Sequence, residues 1–321
     1  MGLNRALKRT GLALIIFLLV VVIGTLLSGW REAVASVRQL GGTQLAFLCL
    51  LAGAHYVIRA LRWHMLVRAG GVTTSAGQNA LHFFGGFAMT ATPGRIGELV
   101  RLRWLMRATG RGFGHLLPIA FADRAIELAA IVGVIALALT ATSLGTSAVW
   151  WVLGAGAILV WVACRPKVLE RGVLGVWRII GRRKSRIFVK LRRLTRRLGP
   201  FMRLPVIIPT LAIGAVGWAF EGAAFWLLLT WLGAPIGPAT ATAIFLTAVL
   251  SGALSGLPGG LGGTEASAVA LLLLQGVSLE TAILATGIIR VTTLWFAVFI
   301  GFATFPFAEI ASRPSDPGEV A

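Results

Sequence analysis

The sequence predicts an all-α polytopic membrane protein, built as an inverted repeat with two re-entrant helical hairpins. Three observations carry that prediction. Of 321 residues, 57% are apolar and 13% charged, with a mean hydropathy of +0.86, far above an ordinary soluble domain. Several apolar runs reach the roughly 18–20 residues needed to cross a bilayer. Two Gly/Pro breaks also share an outline, Pro93-Gly94-Arg95-Ile96-Gly97-Glu98 and Leu257-Pro258-Gly259-Gly260-Leu261-Gly262-Gly263-Thr264-Glu265.

The net charge of +19 does not point to nucleic acid, because 14 of the 30 basic residues fall in one segment, 165–203, between apolar spans. Membrane topology accounts for such clustering, since Lys and Arg accumulate in cytoplasmic loops. Cys49, Cys164 and four scattered His make neither a disulfide framework nor a metal spacing, and no nucleophile–base set is visible. No cofactor, metal or catalytic residue is expected.

Arg5, Lys8 and Arg9 precede an apolar run, Gly11 to Leu27, that reads as a retained first span ending at Trp30. The second span covers about 44–66, with Arg59, Arg62 and Arg68 read as markers of the cytoplasmic side. Residues 78–91 and 96–107 are each too short to cross, so with the Pro93-Gly94 break they read as a hairpin entered from the cytoplasm. Non-helical backbone at that depth must be surrounded by protein or a wet cavity.

The third span, about 115–141, contains Asp123, Arg124 and Glu127, and the fourth covers about 147–164. In the basic segment 165–203, Ile187, Phe188, Leu191, Leu194 and Leu198 have helical spacing among arginines. Two readings stay open there: an amphipathic helix on anionic headgroups, or a solvated loop that fixes topology.

The fifth span, about 204–232, carries Glu221. A second hairpin follows, 240–256 and 265–275, entered from outside. The last span, about 280–307, carries Arg290. The scheme gives one transmembrane domain, 1–311, with repeats at about 44–141 and 204–308, both ends cytoplasmic, and a disordered tail, 312–321.

The two halves match in spacing: Gly97 to Arg124 is 27 residues and Gly262 to Arg290 is 28. Inverted repeats with broken helices place substrate near the bilayer midplane. The returning half-helices would direct positive N-terminal ends inward, where amide groups suit an anionic phosphate. Candidate substrate-binding residues are therefore Arg124, Arg290, Glu98, Glu265, Gly94, Gly97, Gly259 and Gly262. An arginine within a span is costly unless paired or wet. Two readings stay open: these arginines face substrate, or they form closed pairs with Glu98 and Glu265 that only hold the hairpins. Asp123, Arg124 and Glu127 could also neutralise one another. Glu221, Asp123 and Glu127 are candidate coupling groups, and His55, His64, His82 and His115 read as packing or interface residues.

Arg59-Ala60-Leu61-Arg62-Trp63, Pro93-Gly94-Arg95-Ile96-Gly97-Glu98 with Arg101, Asp123-Arg124 with Glu127, and Leu257-Pro258-Gly259-Gly260-Leu261-Gly262 with Glu265 and Arg290 together resemble the flippase-like transmembrane domain of lysylphosphatidylglycerol synthases. The resemblance spans roughly 10–308. It implies a bacterial cytoplasmic-membrane protein that moves a phospholipid, or another lipid-linked anionic headgroup, between leaflets. In the fused enzymes a separate soluble domain performs aminoacylation. None follows residue 311 here, so that chemistry is not expected. The rival readings are a non-transporting scaffold that recruits a lipid-modifying enzyme, and an ion- or proton-coupled small-solute carrier working through Glu221. The expected partner is a membrane lipid, with a homodimer left open.

Overall fold

The computed structural model describes residues 40–90, 96–142 and 185–313, with single positions between 154 and 174; for 96, 98, 185–188, 190, 191 and 258 it describes the backbone only. The expected first and fourth spans, Pro93-Gly94, most of 165–184 and the tail beyond 313 lie outside the described residues.

Every described element is helical. In chain order, α1 is Gly42–Ala69, α2 Ala76–Gly85 (extended by a 3-10 turn, Gly86–Met89), α3 Ile96–Thr109, α4 Phe113–Thr140 and α5 Ser185–Arg197. Then come α6 Leu204–Trp231, α7 Pro238–Leu254, α8 Gly263–Leu274, α9 Leu279–Arg290 and α10 Phe296–Ala311, with a π turn, Val291–Trp295, between the last two. The starts follow local chemistry: Ser75 Oγ accepts from the Gln78 amide and Ser278 Oγ from the Thr281 amide, capping α2 and α9.

Among the described residues, three helical stretches are long and apolar enough to cross a membrane: α1, α6 and the continuous run Leu279–Ala311. At about 1.5 Å per residue, 28 residues extend well beyond a hydrocarbon core of about 30 Å. α4 is equally long but carries Asp123, Arg124 and Glu127. α7 has 17 residues and α8 has 12, so neither alone spans the core.

The helices are inside-out relative to a soluble protein. On α1 the apolar Leu50, Val57 and Leu61 are exposed, whereas His55 and Arg62 are buried. Phe299, Phe307 and Ile310 give α10 a similar apolar outer surface. Such a surface suits lipid and disfavours water.

Two apolar clusters build the interior. One gathers Tyr56, Trp63, Phe83, Phe87, Leu102 and Leu116 from α1 to α4. The other gathers Phe225, Leu228, Phe245, Leu272 and Ile288 from α6 to α9. α4 joins them, giving Ile126 to the first and Ala130 and Ile131 to the second. Glu127 therefore sits where the two cores meet.

The short helices pack as pairs. α7 lies along α8, with Ser251 and Ser267 hydroxyls 2.7 Å apart. Their connecting turn needs left-handed backbone at Gly259 (φ 61°) and Gly262 (φ 81°), which residues with a Cβ rarely adopt. α3 packs on the 3-10 turn after α2, and Gly97 comes so close to Gly86 that a Cβ would sit 2.3 Å from its carbonyl oxygen. Gly97→Ala should therefore destabilise the protein by about 1–3 kcal/mol through overpacking, read as a lowered melting temperature in detergent.

One sequence expectation is corrected here. Arg59 and Arg62 do not mark a cytoplasmic surface: their side chains are 13% and 0% exposed, held inside by carboxylates of α4. Arg101 of α3 is also buried, its guanidinium 3.9 Å from the centre of the Phe83 ring. The exposed basic face belongs instead to α5, where Arg192 and Arg196 grip Glu170 and hold its carboxyl below the usual range, Arg196 contributing most.

Candidate functional site

Helical spacing on α1 puts Arg59 and Arg62 on one face, and on α4 it puts Asp123 and Glu127 on one face. The two faces meet. Arg62 Nε donates to Asp123 Oδ1 at 2.9 Å and its Nη2 to Glu127 Oε2 at 3.3 Å. Arg59 Nη2 lies 2.7 Å from Glu127 Oε1, and Arg124 Nη1 donates to Glu127 Oε2 at 2.8 Å. One carboxylate, 7% exposed, thus holds three guanidiniums in place. Burying these cations is tolerable because each is paired.

A cavity of about 270 Å³ opens beside this cluster. Three arginines line it, Arg59, Arg101 and Arg124, together with Glu127. Gly86, Thr90 and Gly97 come from the first helix pair, Ala253, Leu254 and Gly259 from the second, and Leu128, Ile131, Val249, Phe87 and Trp218 supply apolar wall. Leu254, at the edge of this wall, is 79% exposed, so the cavity borders the apolar outer surface. Aromatic rings back the arginines: Arg59 lies 6.0 Å from the Trp218 centroid and 5.8 Å from that of Phe83.

The sequence-derived residues divide among several places. Arg124, Glu127, Gly97 and Gly259 line the cavity. Asp123 lies behind it, on Arg62. Gly262 caps α8 within the tip of the second pair. Arg290 is tied to that tip, its Nε 2.5 Å from Glu265 Oε1 and its Nη2 donating to the Gly259 carbonyl at 2.8 Å. Gly94 and the Glu98 side chain lie outside the described residues. Glu221 is buried one helical turn from Trp218, with His55 Nε2 3.8 Å from its Oε1.

Sequence reasoning missed Arg59, Arg101 and Trp218 as cavity residues. A signal existed for the first: positions 55, 59 and 62 recur at helical spacing as a polar stripe on an apolar span. The π turn directly after Arg290 had no such signal. It leaves the Thr293 carbonyl to accept from the Tyr56 hydroxyl at 2.5 Å, pinning α1 to the register break. Tyr56→Phe should cost about 1 kcal/mol or somewhat more, because a buried carbonyl loses its donor; a melting curve in detergent checks it.

No curated protein matches the sequence. A family model does, the lysylphosphatidylglycerol synthase TM region, over residues 10–301. That stretch contains every residue described above as lining the cavity, so the match and the membrane-compatible helices describe the same unit. The chain belongs to the lysylphosphatidylglycerol synthase TM region family, a membrane-embedded, multi-pass group associated with lipid modification or flipping.

Proposed function

We propose that the chain binds an anionic phospholipid, or another lipid-linked anionic headgroup, in the cavity between the two helix pairs and passes it between leaflets. The observation that carries this reading is the trio of arginines, Arg59, Arg101 and Arg124, lining a cavity of about 270 Å³ that borders the apolar exterior. Guanidiniums bind phosphate through paired, charge-assisted hydrogen bonds. The apolar rim would leave acyl chains in the bilayer while the headgroup enters.

In this reading α2–α3 and α7–α8 are opposed re-entrant hairpins of an inverted repeat, and both termini lie on the cytoplasmic side of a bacterial inner membrane. Supporting it are the similar spacing of the two breaks, 27 and 28 residues from glycine to arginine, and the meeting of both pairs at one cavity. Arg124 would contact the phosphate directly. Arg290 and Glu265 would hold the tip of the second pair, so that Gly259 stays in the cavity wall. The chain in this view moves a lipid and does not modify it.

Reconstitution tests the proposal. Proteoliposomes should expose fluorescent phosphatidylglycerol to an outside quencher faster than protein-free vesicles do, and faster than they expose phosphatidylcholine. Equal rates with and without protein would overturn it.

A further inference from the structure

Glu221 and His55 are buried titratable groups that the cavity does not use. They face each other across the α1–α6 contact, Glu221 5% and His55 1% exposed. Their closest approach, 3.8 Å between His55 Nε2 and Glu221 Oε1, is beyond hydrogen-bond reach. Among the described residues no group completes a well-formed hydrogen bond to either ring nitrogen of His55, although the Gly217 backbone of α6 comes close to the ring. Tyr56, next along α1, has committed its hydroxyl to the Thr293 carbonyl. A buried carboxylate without a donor is strongly disfavoured unless it takes a proton or its neighbour becomes an imidazolium. Either way, the pair is a site for one proton, and the charges around it decide whether that site is filled.

This pair touches the cavity through shared groups. The His55 ring packs on Trp218, centroids 4.6 Å apart, and Trp218 is also cavity wall. Arg59, one turn along α1 from His55, lines the cavity and lies within electrostatic reach of both His55 and Glu221. The charged and titratable groups within electrostatic reach of the pair are Tyr56, Arg59 and Arg62 from α1, Glu127 from α4 and Arg290 from α9; α7 carries none. The cations oppose the proton. An anion seated on Arg59 and Arg124 would cancel much of their potential and so strengthen proton binding.

We propose that His55 and Glu221 form a proton-binding site coupled to the cavity, so that one proton is taken up with each anionic headgroup bound. The inference rests on the anion-binding reading above. It supplies a means by which a proton gradient could bias lipid movement.

Calorimetric titration of the full chain in detergent tests it, with dihexanoyl phosphatidylglycerol as probe and two buffers of different ionisation enthalpy, which together count protons. The probe phosphate stays ionised throughout, so uptake reports the protein. The wild type should take up close to one proton per probe, with Kd weakening by up to about tenfold per pH unit across the titration of the pair. Glu221→Gln, which keeps the side-chain shape, should bind the probe with no proton uptake and a pH-independent Kd; His55→Gln should also lose the uptake. Wild-type binding without proton uptake, or undiminished uptake in Glu221→Gln, would overturn the proton site and leave the anion site standing. Absence of probe binding by the wild type would overturn both.

Discussion

Glu127→Ala should destabilise the protein by about 3–5 kcal/mol, the range for removing one partner of a buried ion pair. Glu127 is the shared acceptor for Arg59, Arg62 and Arg124, and the Arg62 side chain is fully buried. Without that carboxylate, Arg62 keeps only Asp123 as a described partner, and the guanidiniums repel one another in a medium of low dielectric. Glu127→Gln retains an acceptor oxygen and should lose less. Replacing Arg62 and Asp123 together by Met and Leu should lose less than either single change, because no unpaired charge is left behind. Chemical denaturation in mixed micelles measures all five variants, the two single changes included. A Glu127→Ala protein as stable as wild type would mean that the cluster does not organise this interior.

The second large effect falls on function. Arg59→Gln/Arg124→Gln should slow phosphatidylglycerol transport at least tenfold while leaving the protein folded. Each charge-assisted hydrogen bond to phosphate contributes about 1.5–3 kcal/mol, which is roughly ten- to hundredfold in binding. The fold should survive because Glu127 and Asp123 keep Arg62, and both substituted side chains lie at the cavity rather than in the packed core. Transport rate and melting temperature measured on the same preparation separate the two effects. Loss of both together would assign these arginines to folding.

Much of the helical layout was legible in the sequence. The expected 204–232 and 240–256 correspond to α6 at Leu204–Trp231 and α7 at Pro238–Leu254, because apolar runs end abruptly at Gly233–Pro238. The tip at Leu257–Glu265 was legible for the same reason, since only glycine tolerates the φ values found at 259 and 262. The closed pair of Arg290 and Glu265 was one of two readings left open, and the structure contains it.

The interior arginines were not legible. Arg62 lies 61 residues from Asp123 and 65 from Glu127, and nothing local distinguishes an arginine paired across helices from one reaching for headgroups. Arg101 was hidden likewise among Arg103 and Arg107, of which Arg107 pairs with Glu309 on α10. The positive-inside tendency is a statistical rule about loops and is silent on side chains turning inward. The π turn escaped because no Pro or Gly in Val291–Trp295 announces it.

Central to this account is a cavity that selects anionic headgroups through Arg59, Arg101 and Arg124. Native mass spectrometry of the purified full chain, equilibrated with an equimolar mixture of phosphatidylglycerol and phosphatidylcholine, tests it most directly. The account predicts that one phosphatidylglycerol is retained preferentially by wild type and that Arg59→Gln/Arg124→Gln loses the preference. Equal retention of both lipids by the wild type, or an unchanged preference in the variant, would contradict it.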